Sequence, residues 1–108
     1  MSDSARTGLG ISEIIGDKRE AILALAARYG ASNVRIFGSV ARGEADADSD
    51  VDILVTLAPH TSLYDISGLW QDLSKLLGRE VSLVTEGALS LAGNEAFKTS
   101  VLSDAVAL

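Results

Sequence analysis

Residues 34–57 read VRIFGSVARGEADADSDVDILVTL, and this stretch decides the fold. Its beginning falls in the β-branched run 33–37, which predicts a strand. The run 51–57 is apolar through most of its length, which predicts a strand buried on both faces and therefore central in a sheet. Between the runs, Gly38-Ser39 predicts a strand-to-helix turn, and the small, acidic residues 44–49 predict a loop. The stretch therefore predicts two strands joined by a short helix and a loop.

Helical patterns flank this stretch on both sides. Residues 11–29 carry apolar side chains at steps of three and four, which predicts a helix that Gly30 ends. A second helical pattern begins at Thr61 or Ser62 and ends at Gly78. Its apolar face consists of Leu63, Ile66, Leu69, Trp70, Leu73, Leu76 and Leu77. Each helix therefore has one face that is expected to pack on a sheet.

The rest of the chain completes one domain. Residues 80–84 are typical of a third strand, and residues 94–105 of a last helix. The small and polar residues 1–10 predict a flexible N-terminal tail, which leaves residues 11–108 as the folded domain. Because strands alternate with helices, we expect an α/β fold in which helices cover a small mixed β-sheet.

Length and charge limit the function. A chain of 108 residues is one small domain, too short for a core plus a separate lobe that encloses a substrate. We therefore expect an open site that a partner completes. The formal net charge of -6 argues against direct nucleic-acid binding, because phosphate contacts need clusters of Lys and Arg. The acidic balance fits a metal site made of carboxylates, or docking onto a basic protein.

Cysteine usage and hydropathy limit the compartment. The chain has no cysteine, which excludes disulfides, zinc–thiolate sites and thiol catalysis. No apolar run approaches the roughly 18 residues of a membrane span. The N-terminal segment MSDSARTGLG lacks the apolar stretch of a signal peptide. We therefore expect a soluble, cytoplasmic protein with no membrane partner.

The Gly38-Ser39 pair has the features of a phosphate-binding turn. Gly38 lacks a Cβ atom, so a phosphate can approach the backbone closely. Ser39 is expected at the start of the short helix, where free N–H groups favour an anion and its hydroxyl adds a donor. An isolated Gly-Ser pair is more often an ordinary turn and helix cap. The acidic pair that follows favours phosphate binding over an ordinary turn at Gly38-Ser39.

Asp50 and Asp52 form that acidic pair, and ten residues separate Ser39 from Asp50. Being two apart on a strand, the two carboxylates leave the same face. Close carboxylates repel unless a cation lies between them, and their oxygens suit Mg²⁺ or Mn²⁺. We assign Asp46 and Asp48 instead to a solvated loop. A phosphate-binding turn opposite a carboxylate pair suits phosphoryl or nucleotidyl transfer, in which positioning and charge neutralisation provide most of the catalysis.

The segment FGSVARGEADADSDVDILV resembles the signature of the polymerase-beta-type nucleotidyltransferase superfamily. Within it, the chain resembles the minimal nucleotidyltransferases that act as antitoxins beside HEPN ribonuclease toxins, and the resemblance covers most of its length. The resemblance implies a nucleotidyltransferase fold, ATP as the substrate, and Mg²⁺ or Mn²⁺ as the cofactor. It assigns nucleotide binding to Gly38 and Ser39, and metal binding and catalysis to Asp50 and Asp52.

Two further residues join the nucleotide-binding candidates. Arg42 lies in the Ala-Arg-Gly sequence that follows Gly38-Ser39, and it is a weaker candidate for a contact with phosphate or with a partner. A surface ion pair accounts for Arg42 equally well. Ser49 directly precedes Asp50, and we assign it to nucleotide binding as well.

The chain departs from the family pattern in its third strand. Related sequences carry a third Asp there, in a pattern like V-D-L-V-T, whereas this chain reads Val81-Ser82-Leu83-Val84-Thr85. A serine is a poor Mg²⁺ ligand, and it cannot act as a general base for an attacking hydroxyl without help. Glu80 is expected on the same face as Ser82, about 6.6 Å further along the strand, and is the possible substitute.

Three hypotheses for function follow from the resemblance. In the first, the chain is an antitoxin that neutralises a HEPN toxin by transferring AMP from ATP to a toxin tyrosine. In the second, it neutralises the toxin by binding alone, because Ser82 replaces the third carboxylate. The third is nucleotidyl transfer to a small molecule, and it ranks last because relatives of that kind have an additional helical domain beside the acceptor. We favour the first two together.

Overall fold

The structure is a computed structural model that describes residues 8–108, and its centre is a four-stranded mixed sheet. The strands are β1 (Ala31–Phe37), β2 (Val51–Leu57), β3 (Val81–Thr85) and β4 (Val106–Ala107), in the spatial order β3-β2-β1-β4. β1 is antiparallel to β2 and β4, whereas β2 and β3 are parallel. The predicted mixed sheet and the central position of β2 are confirmed.

The helices are α1 (Ile11–Ile14), α2 (Arg19–Arg28), α3 (Gly38–Arg42), α4 (Leu63–Leu77), α5 (Glu86–Leu91) and α6 (Glu95–Asp104). The single helix predicted over residues 11–29 is wrong, since a 3₁₀ turn over Gly16–Lys18 separates α1 from α2. Gly16 has a φ of +53°, which breaks the regular backbone there. Ile14 and Ile15 are nevertheless buried, so the apolar pattern continues across the break.

The helix predicted to begin at Thr61 or Ser62 and to end at Gly78 is confirmed as α4, and its two ends show why. The Ser62 hydroxyl accepts a hydrogen bond from the backbone N–H of Asp65 (3.2 Å), and the Asp65 carboxylate accepts one from the N–H of Ser62 (3.0 Å). These two bonds form a capping box. Gly78 ends the helix with a φ of +64°. Within α4, Trp70 donates its indole N–H to the carbonyl of Val81 (2.7 Å), which ties the helix to the start of β3.

Two C-terminal elements are missing from the sequence-based prediction. The helix α5 has six residues, too few for helical periodicity to show, and it begins where the Thr85 hydroxyl accepts a hydrogen bond from the N–H of Ala88. The strand β4 has two residues and exists through its pairing with β1. The backbone N–H of Leu108 extends this pairing by donating to the carbonyl of Val34 (3.0 Å).

The sheet buries its two faces against different helices. One face and the helices α2 and α4 enclose the larger core, which includes Ile22, Ile36, Ile53, Leu69 and Leu73. The opposite face packs against α5 and α6 in a smaller core of Phe37, Leu54, Leu89 and Val101. Because side chains alternate along a strand, Asp52 lies on the same face as Leu54, the face of the smaller core.

The sequence predicts a flexible tail over residues 1–10. Residues 1–7 of that segment lie outside the part of the chain that the structure describes. Leu9 exchanges two backbone hydrogen bonds with Ala45, of 2.7 and 3.0 Å, and packs against the larger core. Within residues 8–108, none of the helices combines the length and apolar character that crossing a membrane requires.

Leu54→Ala is expected to lower the free energy of unfolding by about 2–5 kcal/mol, because it opens a cavity in the smaller core. Leu54 is fully buried, whereas Leu91 is 88% exposed, so Leu91→Ala is the matched control. The control is expected to change stability by less than about 0.5 kcal/mol. Urea unfolding measures both values, and equal effects of the two substitutions would contradict this account of the core.

Candidate active site

The candidate site lies where β1 ends opposite the start of β2. Phe37, the last residue of β1, pairs with Asp52 in the antiparallel register, so Gly38 is placed beside the Asp52 side chain. A Cβ atom built on Gly38 would lie 2.1 Å from Oδ2 of Asp52 and 3.0 Å from its Cγ. Gly38 also has a φ of +73°. The absence of a side chain at residue 38 therefore makes room for the Asp52 carboxylate as well as for a ligand.

The predicted strand-to-helix turn is present at Gly38-Ser39. The helix α3 begins at Gly38 directly after β1, and Ser39 is its half-buried second residue. Its first turn is open on the N-terminal side, because Phe37 contributes no side-chain hydrogen bond as a cap. Backbone N–H groups at the start of a helix are available to an external acceptor.

Asp52 is flanked by Asp50 on its own chain segment and by Ser82 on β3. The parallel register pairs Asp52 with Ser82, so the serine stands beside the acidic pair. Burial raises the pKa of the Asp52 carboxyl, and the charge of Asp50 raises it further. Arg42 and a hydrogen bond from Ser82 act in the opposite direction without cancelling the rise. Arg42 and Ser82 therefore offset only part of the repulsion between the two carboxylates.

Glu80 does not complete this pair. Its backbone carbonyl accepts a hydrogen bond from the N–H of Val51 (3.0 Å), and its side chain is exposed. Among residues 8–108, no three acidic or histidine side chains converge closely enough to hold a metal ion. Two carboxylates with a neighbouring hydroxyl still fit Mg²⁺, which commonly binds through one or two carboxylates and keeps several waters.

Arg42 is engaged with acidic side chains in this structure. Its guanidinium lies 2.9 Å from the Glu44 carboxylate and 2.6 Å from that of Asp104, at the end of α6. Both hydrogen bonds raise the pKa of Arg42. Because its charge also reaches Asp52, Arg42 lies at the border of the site. Arg42 therefore forms surface ion pairs in this structure, and its guanidinium would have to leave Glu44 and Asp104 before it could contact a phosphate.

Ser49 belongs to a compact turn that precedes Asp50. Its hydroxyl accepts a hydrogen bond from the N–H of Asp46 (2.9 Å) and donates one to the Asp46 carboxylate (3.1 Å). Arg79 donates to the carbonyls of Asp46 and Ser49 from the other side. The sequence gives no signal for the role of Arg79, because contacts to carbonyls depend on the fold and match no motif.

Most of the chain matches a known protein family. Residues 18–107 match the nucleotidyltransferase domain family. The chain belongs to that family. A relative from Methanocaldococcus jannaschii, described as a protein adenylyltransferase, is 33% identical over 92 residues, which cover 85% of this chain and 95% of the relative.

Solved structures agree with this membership. A structure described as a minimal nucleotidyltransferase superposes with a TM-score of 0.73 at 46% identity, covering 85% of this chain and 90% of that chain. A chain in a crystal structure of the MntA–HpeT toxin–antitoxin, in a mutant form, superposes with a TM-score of 0.63 at 25% identity. It covers 83% of this chain and 70% of the other. The predicted nucleotidyltransferase fold is confirmed.

Gly38→Ala is expected to displace the Asp52 carboxylate and to cost about 1–2 kcal/mol of stability, because the new Cβ occupies its place and the positive φ disfavours alanine. Gly87→Ala in α5 is the matched control, since a Cβ there meets nothing within 4 Å. The control is expected to be neutral or to stabilise by up to about 1 kcal/mol. Urea unfolding measures both variants, and a Gly38→Ala chain of native stability would argue against the close packing.

Asp52→Asn is expected to stabilise the metal-free protein at neutral pH. The raised pKa of Asp52 means that its ionised form favours the unfolded chain, so native stability falls as pH rises from about 4 through the folded pKa. The gain from Asp52→Asn should therefore vanish below about pH 4. Urea unfolding in the presence of a chelator, across this pH range, measures the effect.

Asp46→Asn is the control of opposite sign. Hydrogen bonds from the backbone N–H of Asp48 and from Ser49 lower the pKa of Asp46. Its ionised form therefore favours the folded chain, and that contribution is lost as pH falls through the folded pKa. Asp46→Asn should destabilise at neutral pH and lose this effect in acid. Effects of the same sign for both variants would show that the two carboxylates are not in opposite environments.

Proposed function

We propose that this chain is an antitoxin that neutralises a HEPN-type toxin by transferring AMP from ATP to a tyrosine hydroxyl of the toxin. One observation carries the proposal: the turn that begins at Gly38 packs against Asp52, whose carboxyl in turn lies within reach of the charge of Asp50. The likeness to a protein adenylyltransferase and to a toxin–antitoxin structure supports the choice of reaction and of partner.

The residues of the site have separate roles in this proposal. The open first turn of α3 at Gly38 and Ser39 receives the phosphates of ATP. Asp50 and Asp52 hold Mg²⁺ or Mn²⁺, which relieves the repulsion between the two carboxylates. When bound, such an ion neutralises phosphate charge and helps to align the reacting groups. Arg42 borders the nucleotide and contacts a phosphate once its bonds to Glu44 and Asp104 open.

The transfer itself exchanges one phosphorus–oxygen bond for another. The tyrosine oxygen forms a bond to the α-phosphorus of ATP while the bond from that phosphorus to pyrophosphate breaks, and pyrophosphate leaves. The tyrosine proton needs a base, and a neutral serine at residue 82 does not act as one without help. We assign that proton to Glu80 or to a residue of the toxin.

A second candidate function has its own support. Ser82 stands beside Asp52 in the β2–β3 register, and the exposed Glu80 does not join the acidic pair. With two carboxylates, nucleotide and metal binding are retained while the transfer step slows or stops. In that case the chain neutralises its partner by contact alone, and the acidic net charge of -6 favours a basic partner surface.

The deciding experiment measures AMP transfer from α-labelled ATP, with Mg²⁺, to the product of the gene adjacent to this one. The native chain is compared with Ser82→Asp, Asp52→Ala and the double variant Asp50→Ala/Asp52→Ala. For an active enzyme, the native chain labels its partner, and both alanine variants lose about 100-fold or more, because charge neutralisation in the transition state is lost.

The variants also separate the two candidate functions. Labelling by Ser82→Asp alone would assign the native chain to contact-based neutralisation. Neutralisation is scored in parallel by the ribonuclease activity of the partner, with and without ATP. Full transfer by the double alanine variant would falsify the assignment of the acidic pair.

A further inference from the structure

The position of Asp50 is set by the residues on either side of it. Before it, residues 46–49 form a turn closed by the N–H of Ser49, which donates to the carbonyl of Asp46 (3.3 Å). The Asp46 carboxylate caps the turn by accepting from the N–H of Asp48 (2.9 Å). After it, Val51 begins β2. Asp50 itself is exposed, so its carboxylate depends on the backbone for its placement.

Arg79, which lies two residues before β3, donates hydrogen bonds to this turn. One terminal nitrogen of its guanidinium donates to the carbonyls of Asp46 (2.9 Å) and Ser49 (3.0 Å). Those two carbonyls belong to the first and last residues of the turn, so a single group closes its open side. Arg79 is half-buried, and its hydrogen bond to Ser49 is partly shielded from water, whereas the one to Asp46 is exposed.

The neighbour of Arg79 holds the other side of Asp50. The carbonyl of Glu80 accepts from the N–H of Val51 (3.0 Å), the residue directly after Asp50. Two successive residues before β3 therefore hold the backbone before and after Asp50. Without Arg79, the strand contact at Val51 remains, and the turn is left with its internal hydrogen bonds.

We propose that Arg79 is a positioning residue for Asp50: it holds the 46–49 turn so that the Asp50 carboxylate faces Asp52 and a divalent cation binds between them. The inference rests on the proposed function, because it gives Arg79 a role through the metal-binding pair. Arg79 touches neither nucleotide nor metal in this role. Loss of a hydrogen bond to a metal-ligating side chain typically costs about 10–100-fold in metal affinity, and we expect the lower end for Arg79 because its bonds reach Asp50 only through the backbone.

The test measures binding of a fluorescent ATP analogue as a function of Mg²⁺ concentration, without the toxin. Arg79→Gln is expected to raise the Mg²⁺ concentration at half-maximal binding by about 10-fold or more. Arg79→Lys, which keeps the charge and the donor hydrogens, is expected to recover part of the loss. Arg28→Gln is the matched control, because Arg28 is exposed at the end of α2, and it should bind as the native chain does.

A double-mutant cycle separates positioning from general stability. If Arg79 acts through Asp50, Arg79→Gln adds no further loss of Mg²⁺-dependent binding to an Asp50→Ala chain. Amide hydrogen exchange gives a readout without nucleotide: Arg79→Gln should speed exchange at Ser49 while Val55, inside β2, keeps its protection.

The outcomes distinguish the two proposals. A native chain that binds the analogue, with Arg79→Gln binding equally well at every Mg²⁺ concentration, overturns the role of Arg79 alone. Additive losses in the double-mutant cycle, or faster exchange throughout β2, also overturn it, because they indicate a global effect on stability. A native chain without Mg²⁺-dependent binding overturns the proposed function and the positioning role together.

Discussion

The packing of Gly38 against the Asp52 carboxylate is the constraint on which the site depends. It follows from the antiparallel register of β1 and β2, which sets Phe37 opposite Asp52 and brings the start of α3 to the same place. A side chain at residue 38 would push the carboxylate away, and a shift of one residue in the register would turn Asp52 to the opposite face. The position of the Gly38-Ser39 turn and that of Asp52 therefore follow from the same strand register.

The two faces of the sheet differ in the side chains that they carry. The face toward α2 and α4 carries most of the buried aliphatic side chains and has no acidic residue of the pair. The face toward α5 and α6 is apolar near Leu54 and becomes polar toward Asp52 and Ser82, at the N-terminal end of β2. The site is therefore partly exposed at this end of the sheet, while the apolar residues beneath it are buried.

Much of the fold was predictable because its signals are local. The apolar run of β2, the capping residues of α4 and the spacing of Gly38 from Asp52 are read directly from the sequence. The break at Gly16, the pairing of the two-residue β4 and the hydrogen bonds of Arg79 depend on contacts between distant segments, which no local pattern records. Ser82 depends on both kinds of signal. The sequence shows that a serine replaces the third carboxylate, but only the pairing of β2 with β3 shows that this serine lies beside Asp52.

The hydrogen bond from Trp70 to the carbonyl of Val81 has a practical consequence. Trp70 is the single tryptophan of the chain and is 41% exposed, so its emission spectrum reports the polarity at the junction of α4 and β3. Val81 directly precedes Ser82, the neighbour of Asp52. The protein therefore carries an intrinsic fluorophore hydrogen-bonded to the residue before Ser82, and no label is needed to follow that edge of the sheet.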